Sequence, residues 1–426
     1  MTLASASYED GTLLVDVDGY DQRVQYRTAS MLPLTQLAAA PQIMELFEFM
    51  LTWYAADRLT PRTKHSWARK FVIEFPVWRL CEWNAIKRDL EEIIRRSTGD
   101  YVTIVPFKRP RRWYHRDSEL RFSLESPLPV SVVLLSDGLD SLCGAYGALK
   151  NPVERPAFVS ISTNTRKGAR LNRLAGGLQS AYGDRPIFHR IEMNLVKAPR
   201  KAERTQRSRT MLAIAAGLTV AAAYGSPVMR ISENGMGILN LPIPWLQGPH
   251  ESSQVLHPVN LQLWEHVSNT LVNGAIIEYP NRFKTKAQML RELPPEAHAL
   301  IGYTSSCDSP QRRDRYPDCG VCGSCTVRRL SLKVASLAEF DVRYTSVPPR
   351  KRTYDARRLL EDQRERLSEA LLQRDPWLAL VKAQPTLANI VVDGSAGAHQ
   401  TILSTIELLK EHVKELRFSE QIAHAI

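Results

Sequence analysis

The chain has 426 residues, enough for two or three domains, and its 44% hydrophobic and 24% charged content is that of a soluble globular protein. No apolar run reaches the roughly 20 residues of a membrane-spanning helix; the longest, Met211 to Tyr224, is rich in Ala and broken by Gly217. The net charge of +11, from 56 Lys and Arg against 45 Asp and Glu, permits an anionic partner such as a nucleotide or nucleic acid, and equally serves solubility alone.

Residues 1–125 read as an N-terminal α+β accessory domain. Leu13 to Val17 and Val24 to Arg27 are expected to pair as short strands across a turn at Gly19-Tyr20-Asp21. Ile43, Leu46, Phe47, Met50, Leu51 and Tyr54 recur at helical spacing. Glu82 to Arg95 forms a second amphipathic helix, and Tyr101 to Pro106 reads as a strand. Lys108 to Arg116 then interleaves basic and aromatic residues. That mixture suits a nucleic-acid strand or a linker whose aromatics pack on the next domain, and the linker is the favoured reading.

From residue 126 to 335 strand-like and helix-like runs alternate. Val130–Leu135, Ala157–Ser162, Ile187–Met193, Val228–Ser232 and Ala275–Tyr279 are strand-like; Ala169–Tyr182, Arg209–Tyr224 and Ser252–Leu271 are helix-like. This rhythm predicts an α/β fold with a doubly wound parallel sheet, where ligands bind beyond the carboxyl ends of the strands. Ser136, Ser162 and Thr163, and Glu233 and Asn234 all fall at such ends.

The first strand runs into Ser136-Asp137-Gly138-Leu139-Asp140-Ser141 and then a helix-like stretch, Leu142 to Leu149. A turn of this kind offers backbone N–H groups and a helix N-terminus to an anion. Downstream, Cys307, Cys319, Cys322 and Cys325 follow the spacing C-x11-C-x2-C-x2-C. Four thiolates suit a closed tetrahedral zinc site, with Gly320 and Gly323 supplying turns. Four cysteines leave no open position, so the metal is structural. Disulfides are disfavoured because no signal peptide is visible; the expected location is the cytoplasm. Cys81 and Cys143 stand singly in apolar surroundings. Residues 336–426 read as a charged helical extension. Arg350-Lys351-Arg352 sits in a Pro-led linker, and Ile402, Ile406, Leu409 and Val413 mark an amphipathic helix of core or oligomer-contact type, with a homodimer among the expectations.

Taken together, the Ser-x-Gly-x-Asp-Ser loop and Cys319-Gly320-Val321-Cys322-Gly323-Ser324-Cys325, followed by Arg328-Arg329, resemble the 7-cyano-7-deazaguanine synthase (QueC-like) family of PP-loop ATP pyrophosphatases. Arg209-Thr210-Met211-Leu212 and Lys284-Thr285-Lys286 are similar to intermediate segments of that family, and the likeness covers about residues 130–335. Three positions depart from it. Asp137 replaces a loop glycine, Thr210 stands where the family has Asn, and the first cysteine gap is longer.

The resemblance implies a PP-loop, HUP-like sheet. It also implies ATP-dependent adenylation of a 7-carboxy-7-deazaguanine-type carboxylate, then amide or nitrile formation with ammonia or another amine. Ser136, Asp137, Gly138, Leu139, Asp140, Ser141 and Ser162 would hold ATP and its Mg²⁺. Asp140, Ser141, Arg209 and Lys286 would be catalytic, and Arg209, Glu233 and Asn234 would contact substrate. Arg207 is a further candidate anion contact. Cys307, Cys319, Cys322 and Cys325 would bind Zn²⁺. The extra length suggests a specialised member, of the kind found in bacterial anti-phage operons, with a protein or nucleic-acid acceptor reached through the basic flanks. A tRNA-modifying ligase or thiolase on the same fold, and a nucleotide-binding module without catalysis, are the alternatives. Asp137, a negative charge beside the expected phosphates, is the main support for the last.

Overall fold

The computed structural model describes residues 1–9, 12–18, 20–28, 41–62, 67–110, 130–163, 165–195, 203, 207–241, 254–272, 274–307, 318–344, 356–391 and 395–423. Its central half alternates as expected. The strands are β6 (Val130–Leu134), β7 (Arg155–Ser162), β8 (Ile187–Leu195), β9 (Val228–Arg230) and β10 (Ile276–Glu278). They pair in parallel, in the spatial order β10-β9-β6-β7-β8. The strand order therefore reverses between β6 and β9, and the crevice above that switch point is where open α/β sheets bind ligands. β9 and β10 are three residues each, shorter than their apolar runs.

Helices flank the sheet: Leu139–Leu149 (α3), Thr165–Tyr182 (α4), Ser208–Tyr224 (α5) and Pro258–Val272 (α7). The helix read from Ser252 begins at Pro258, and residues 251–253 lie outside the described residues. Among the described residues no helix is long and apolar enough to cross a membrane.

The N-terminal region continues the same sheet. β1 (Thr2–Glu9), β2 (Thr12–Val17) and β3 (Tyr20–Thr28) form an antiparallel meander, and β3 pairs antiparallel with β8. β4 (Lys70–Val77) and β5 (Tyr101–Lys108) extend it in parallel beyond β1. The β2–β3 reversal is tighter than expected, because Tyr20 and Asp21 already pair with Val17 and Asp16. Asp18 takes a left-handed φ of 52°, a conformation that Asp tolerates. β1 escapes sequence reading because its inward residues, Ala4 and Ala6, are small and weak strand formers.

Helix α1 (Pro41–Leu59) is buried along most of its length, its carboxylates Glu45, Glu48 and Asp57 included, and lies inside the molecule against α5. Phe47, Trp53, Phe71 and Trp83 share one buried cluster with Ile214, Leu218 and Trp264, so the core runs on both sides of residue 125. Helix α2 (Leu80–Thr98) presents Trp83, Ile86, Leu90 and Ile93 to this core. Its first turn holds Cys81, which is exposed rather than apolar-packed.

A buried ion network ties the two regions together. Arg62 reaches both oxygens of Asp100 at 2.8 Å. Arg69 bridges Asp100 and Asp57, and Asp57 accepts from the Ser208 hydroxyl. Burial opposes the Asp100 charge, but the two guanidiniums hold its carboxyl below the usual range. Ser208 precedes Arg209, so this network fixes the start of the helix that carries Arg209.

The basic segment after β5 behaves as structure where it is described. Arg109 is buried, 3.3 Å from Glu48 and stacked on Trp78 at 5.0 Å. Residues 111–116, and Arg350-Lys351-Arg352, lie outside the described residues.

Candidate functional site

A cavity of about 480 Å³ opens at the switch point between β6 and β9. On one side stands the loop after β6. Ser136 Oγ and Ser141 Oγ are 2.8 Å apart; the Ser136 N–H donates to Ser141 Oγ at 3.1 Å, and the Gly138 N–H to Ser136 Oγ at 3.1 Å. These bonds curl the loop over the start of α3. Gly138 is the N-cap and supplies no capping side chain, so the positive end of the helix faces the cavity. Ser136, Gly138, Leu139, Asp140 and Ser141 line the wall.

Asp137 does not line it. Its carboxylate meets Arg170 at 3.0 Å and Lys167 at 3.9 Å, both on α4. The Asp137 charge is thus answered by two cations. Arg170 also lies 3.7 Å from Asp318, and the Ser305 N–H donates to the Asp137 carbonyl at 2.7 Å. The loop is therefore braced against the cysteine segment. Sequence reading missed Lys167 and Arg170; the signal was the basic run Arg166-Lys167-Gly168-Ala169-Arg170, a helical turn opposite an unexpected acid. Lys167 lines the cavity beside Arg209, and burial and Arg209 together lower its pKa to about 8, Asp137 opposing.

Deeper in the cavity four expected residues converge. Lys286, the first residue of helix α8 (Lys286–Arg291), forms an ion pair with Asp140. Asn234 Nδ2 donates to Asp140 Oδ2 at 2.6 Å and to Glu233 Oε1 at 2.9 Å. Burial pushes Asp140 up, but Lys286, Glu233 and Asn234 outweigh it and hold its carboxyl down at about 2. Burial and the Asp140 charge push Glu233 well above the usual carboxylate range. Asp140 is thus an anion beside the Lys286 cation, while Glu233 is biased toward its protonated form and hydrogen-bonds Asp140. Gly237 makes room for this: a Cβ there would sit 2.2 Å from Glu233 Oε1. Asp140 is bound from within the protein rather than acting as a helix cap.

Other expected residues fall elsewhere. Ser162 is buried at the end of β7 and, like Thr163, is not part of the cavity wall. Arg207 stacks on Trp67 at 4.9 Å. Thr210 lines the cavity. Cys143 is core, and burial raises its thiol pKa.

The cysteine segment forms a second centre against the first. Cys307, Cys319, Cys322 and Cys325 place their sulfurs within 4.8 Å of one another. A tetrahedral site with metal–sulfur bonds of ~2.3 Å separates its sulfurs by about 3.8 Å, so these four could hold a metal such as zinc. Successive backbone N–H groups point at the sulfurs: Cys319 to Cys307, Cys322 to Cys319 and Cys325 to Cys322, at 3.3–3.4 Å. Gly320 turns the first knuckle with a φ of 72°. Gly323 instead begins helix α10 (Gly323–Val334) and needs no special conformation.

Arg328 on α10 is fully buried and binds Asp341, Thr304 and the Ile301 carbonyl at 2.7–3.0 Å, locking both ends of the segment. Gly323, Ser324 and Val327 line the cavity, so the cysteine centre supports its wall. Among the described residues, this is the group of His, Cys, Asp and Glu side chains that converges for a metal.

No family model matches the chain, and no curated protein matches it. Its chemistry has to be read from these residues.

Proposed function

We propose that this protein is an ATP-dependent ligase that adenylates a carboxylate and passes the acyl group to an amine. A carboxylate is a poor electrophile. Its oxygen attacks the α-phosphorus of ATP, the bond to the β-phosphate bridging oxygen breaks, and pyrophosphate leaves. The amine then attacks the acyl carbon, AMP departs and a proton is released. The observation that carries this reading is the convergence, in one switch-point cavity, of an uncapped helix N-terminus, two cations and a buried Asp140–Lys286 pair.

On this reading Ser136, Ser141 and the loop N–H groups bind the pyrophosphate oxygens, and Lys167 and Arg209 neutralise the leaving group. Magnesium carried by ATP shares that task. Lys286, oriented by Asp140, meets the charge that develops at the reacting carboxylate or α-phosphate. Zn²⁺ held by Cys307, Cys319, Cys322 and Cys325 keeps the α10 wall in place. By the resemblance, the carboxylate is a 7-carboxy-7-deazaguanine and the amine is ammonia or an acceptor on a larger molecule. Glu233 would hydrogen-bond the N–H donors of such a base through its carboxyl group. The pairing of Asp137 with Arg170 and Lys167 favours catalysis over the inert-module alternative, because that acid is already compensated.

Mass spectrometry of products from ATP, 7-carboxy-7-deazaguanine and a panel of amines tests the proposal. AMP, pyrophosphate and a new amide are expected; ADP, or ATP binding with no AMP for any carboxylate, would overturn it.

A pH dependence follows. Lys167 in the free enzyme loses its proton near pH 8. A bound triphosphate favours the cation, so ATP affinity should fall toward tenfold per pH unit above 8. Titration calorimetry at pH 7, 8 and 9 should show that fall in the native protein and a flattened profile in Lys167→Arg.

A further inference from the structure

The C-terminal helices reach the cavity. Helix α11 (Ala356–Leu371) and helix α13 (Ser395–Ala423) pack on each other and on α10, and share an apolar cluster with helix α6 (Gly235–Leu239), the turn that follows Glu233 and Asn234. Leu239, Leu241, Leu367, Leu408, Leu409 and Val413 form their common apolar cluster. The C-terminal stripe is thus core of this chain.

One face of α13 is keyed to the machinery at three points spaced four and three residues apart. Leu408 packs where a Cβ on Gly235 would stand, 2.4 Å from its methyl. Glu415 accepts from the hydroxyl of Thr285, the N-cap of the helix that begins with Lys286. Between them His412 lines the cavity, together with Gln363 from α11.

His412 Nε2 and Gln363 Oε1 are 3.3 Å apart, and both residues are buried, at 7% and 2% exposure. A carbonyl oxygen only accepts, so the ring nitrogen donates and Nδ1 is left as an acceptor. Burial lowers the His412 pKa to about 4, which keeps the ring neutral at physiological pH. A polar pair inside an otherwise apolar cluster costs desolvation that a Leu–Phe pair of similar shape avoids. Here the pair sits at the wall of a binding cavity, on the same side as Met236, Gly237 and Asn240.

We propose that Gln363 and His412 select the substrate's ring system. Their amide and imidazole would hydrogen-bond the donor–acceptor edge of a planar nitrogen heterocycle whose carboxylate points toward Lys286. This inference rests on the ligase reading and adds to it a specificity wall, supplied by the C-terminal helices rather than by the sheet.

The test uses the full-length, metal-loaded protein. Titration calorimetry measures 7-carboxy-7-deazaguanine and ATP separately, for the native protein, Gln363→Leu and His412→Gln. Steady-state AMP release gives KM and kcat for the carboxylate. Gln363→Leu should weaken carboxylate binding and raise its KM roughly tenfold or more, with ATP affinity held and the melting temperature lowered by only a few degrees for the lost hydrogen bond. His412→Gln keeps an amide donor and acceptor and should retain most of the affinity. The native protein should prefer the fused-ring acid to pyrrole-3-carboxylate, and Gln363→Leu should lose most of that preference.

Two results would overturn the wall. Equal carboxylate affinity in native and Gln363→Leu proteins would reduce the pair to packing and leave the ligase reading standing. A native protein that binds no heterocyclic carboxylate would remove both.

Discussion

Replacing Lys286 with alanine should cut AMP release by about a thousandfold or more, roughly 4 kcal/mol of barrier. The cation is buried, faces the cavity and is held by Asp140. Burial works against its charge, yet the Asp140 carboxylate raises its pKa, so the ammonium is kept protonated. Without it Asp140 becomes a buried carboxylate held only by its hydrogen bonds with Glu233 and Asn234, and its pKa must climb. Arginine should not rescue, because the site is shaped for a compact ammonium and a planar fork does not fit it. Single-turnover AMP release with saturating carboxylate gives the rate, and circular dichroism and metal content show whether the fold survives. A folded Lys286→Ala protein within threefold of the native rate would remove Lys286 from the chemistry.

A comparable loss, of stability rather than rate, should follow Cys322→Ser. Structural zinc contributes on the order of 10 kcal/mol of apparent folding free energy, while whole domains are stable by about 5–15 kcal/mol. Losing one ligand should therefore abolish cooperative folding of the segment from Cys307 to Tyr344. The cavity should suffer as well, because Gly323, Ser324 and Val327 form part of its wall and Arg328 anchors residues 301–306. About one metal per chain is expected in the native protein. Cys322→Ser should bind little metal, melt far earlier and release no AMP. A native protein without metal that melts as a single cooperative unit would defeat the assignment.

The central strands were legible because each is a short run of Val, Ile, Phe and Met that must be covered on both faces of a parallel sheet. Turn chemistry marked the Ser136 loop, and spacing marked the cysteines. What sequence could not show was which residues meet. Asp140 and Lys286 are 146 positions apart, and Asn234 is 94 from Asp140. Each was a candidate alone, and only the switch point brings them together. Sequence alone placed Asp140 with ATP and Mg²⁺, and its Lys286 partner was out of sight. The pairing of Asp137 with Arg170, and the approach of Gln363 and His412, are equally non-local. Polarity gives a buried hydrogen-bonded pair no signature that separates it from a solvated one. The N-terminal sheet was under-read for another reason. β1 alternates Ala and Ser, and its burial comes from neighbours rather than from its own hydrophobicity.

The single seam between β3 and β8 sets the order in which this molecule can be born. Val24 pairs with Leu195, so the first three strands wait for about 170 further residues before the sheet closes. Until then the outer edge of β3 is an open row of backbone donors and acceptors, the template that unwanted neighbours exploit. During synthesis, the meander must be shielded or must remain loosely formed while the rest of the central sheet is made. Slowing the ribosome before β8 should therefore raise aggregation, whereas a pause after it should be harmless.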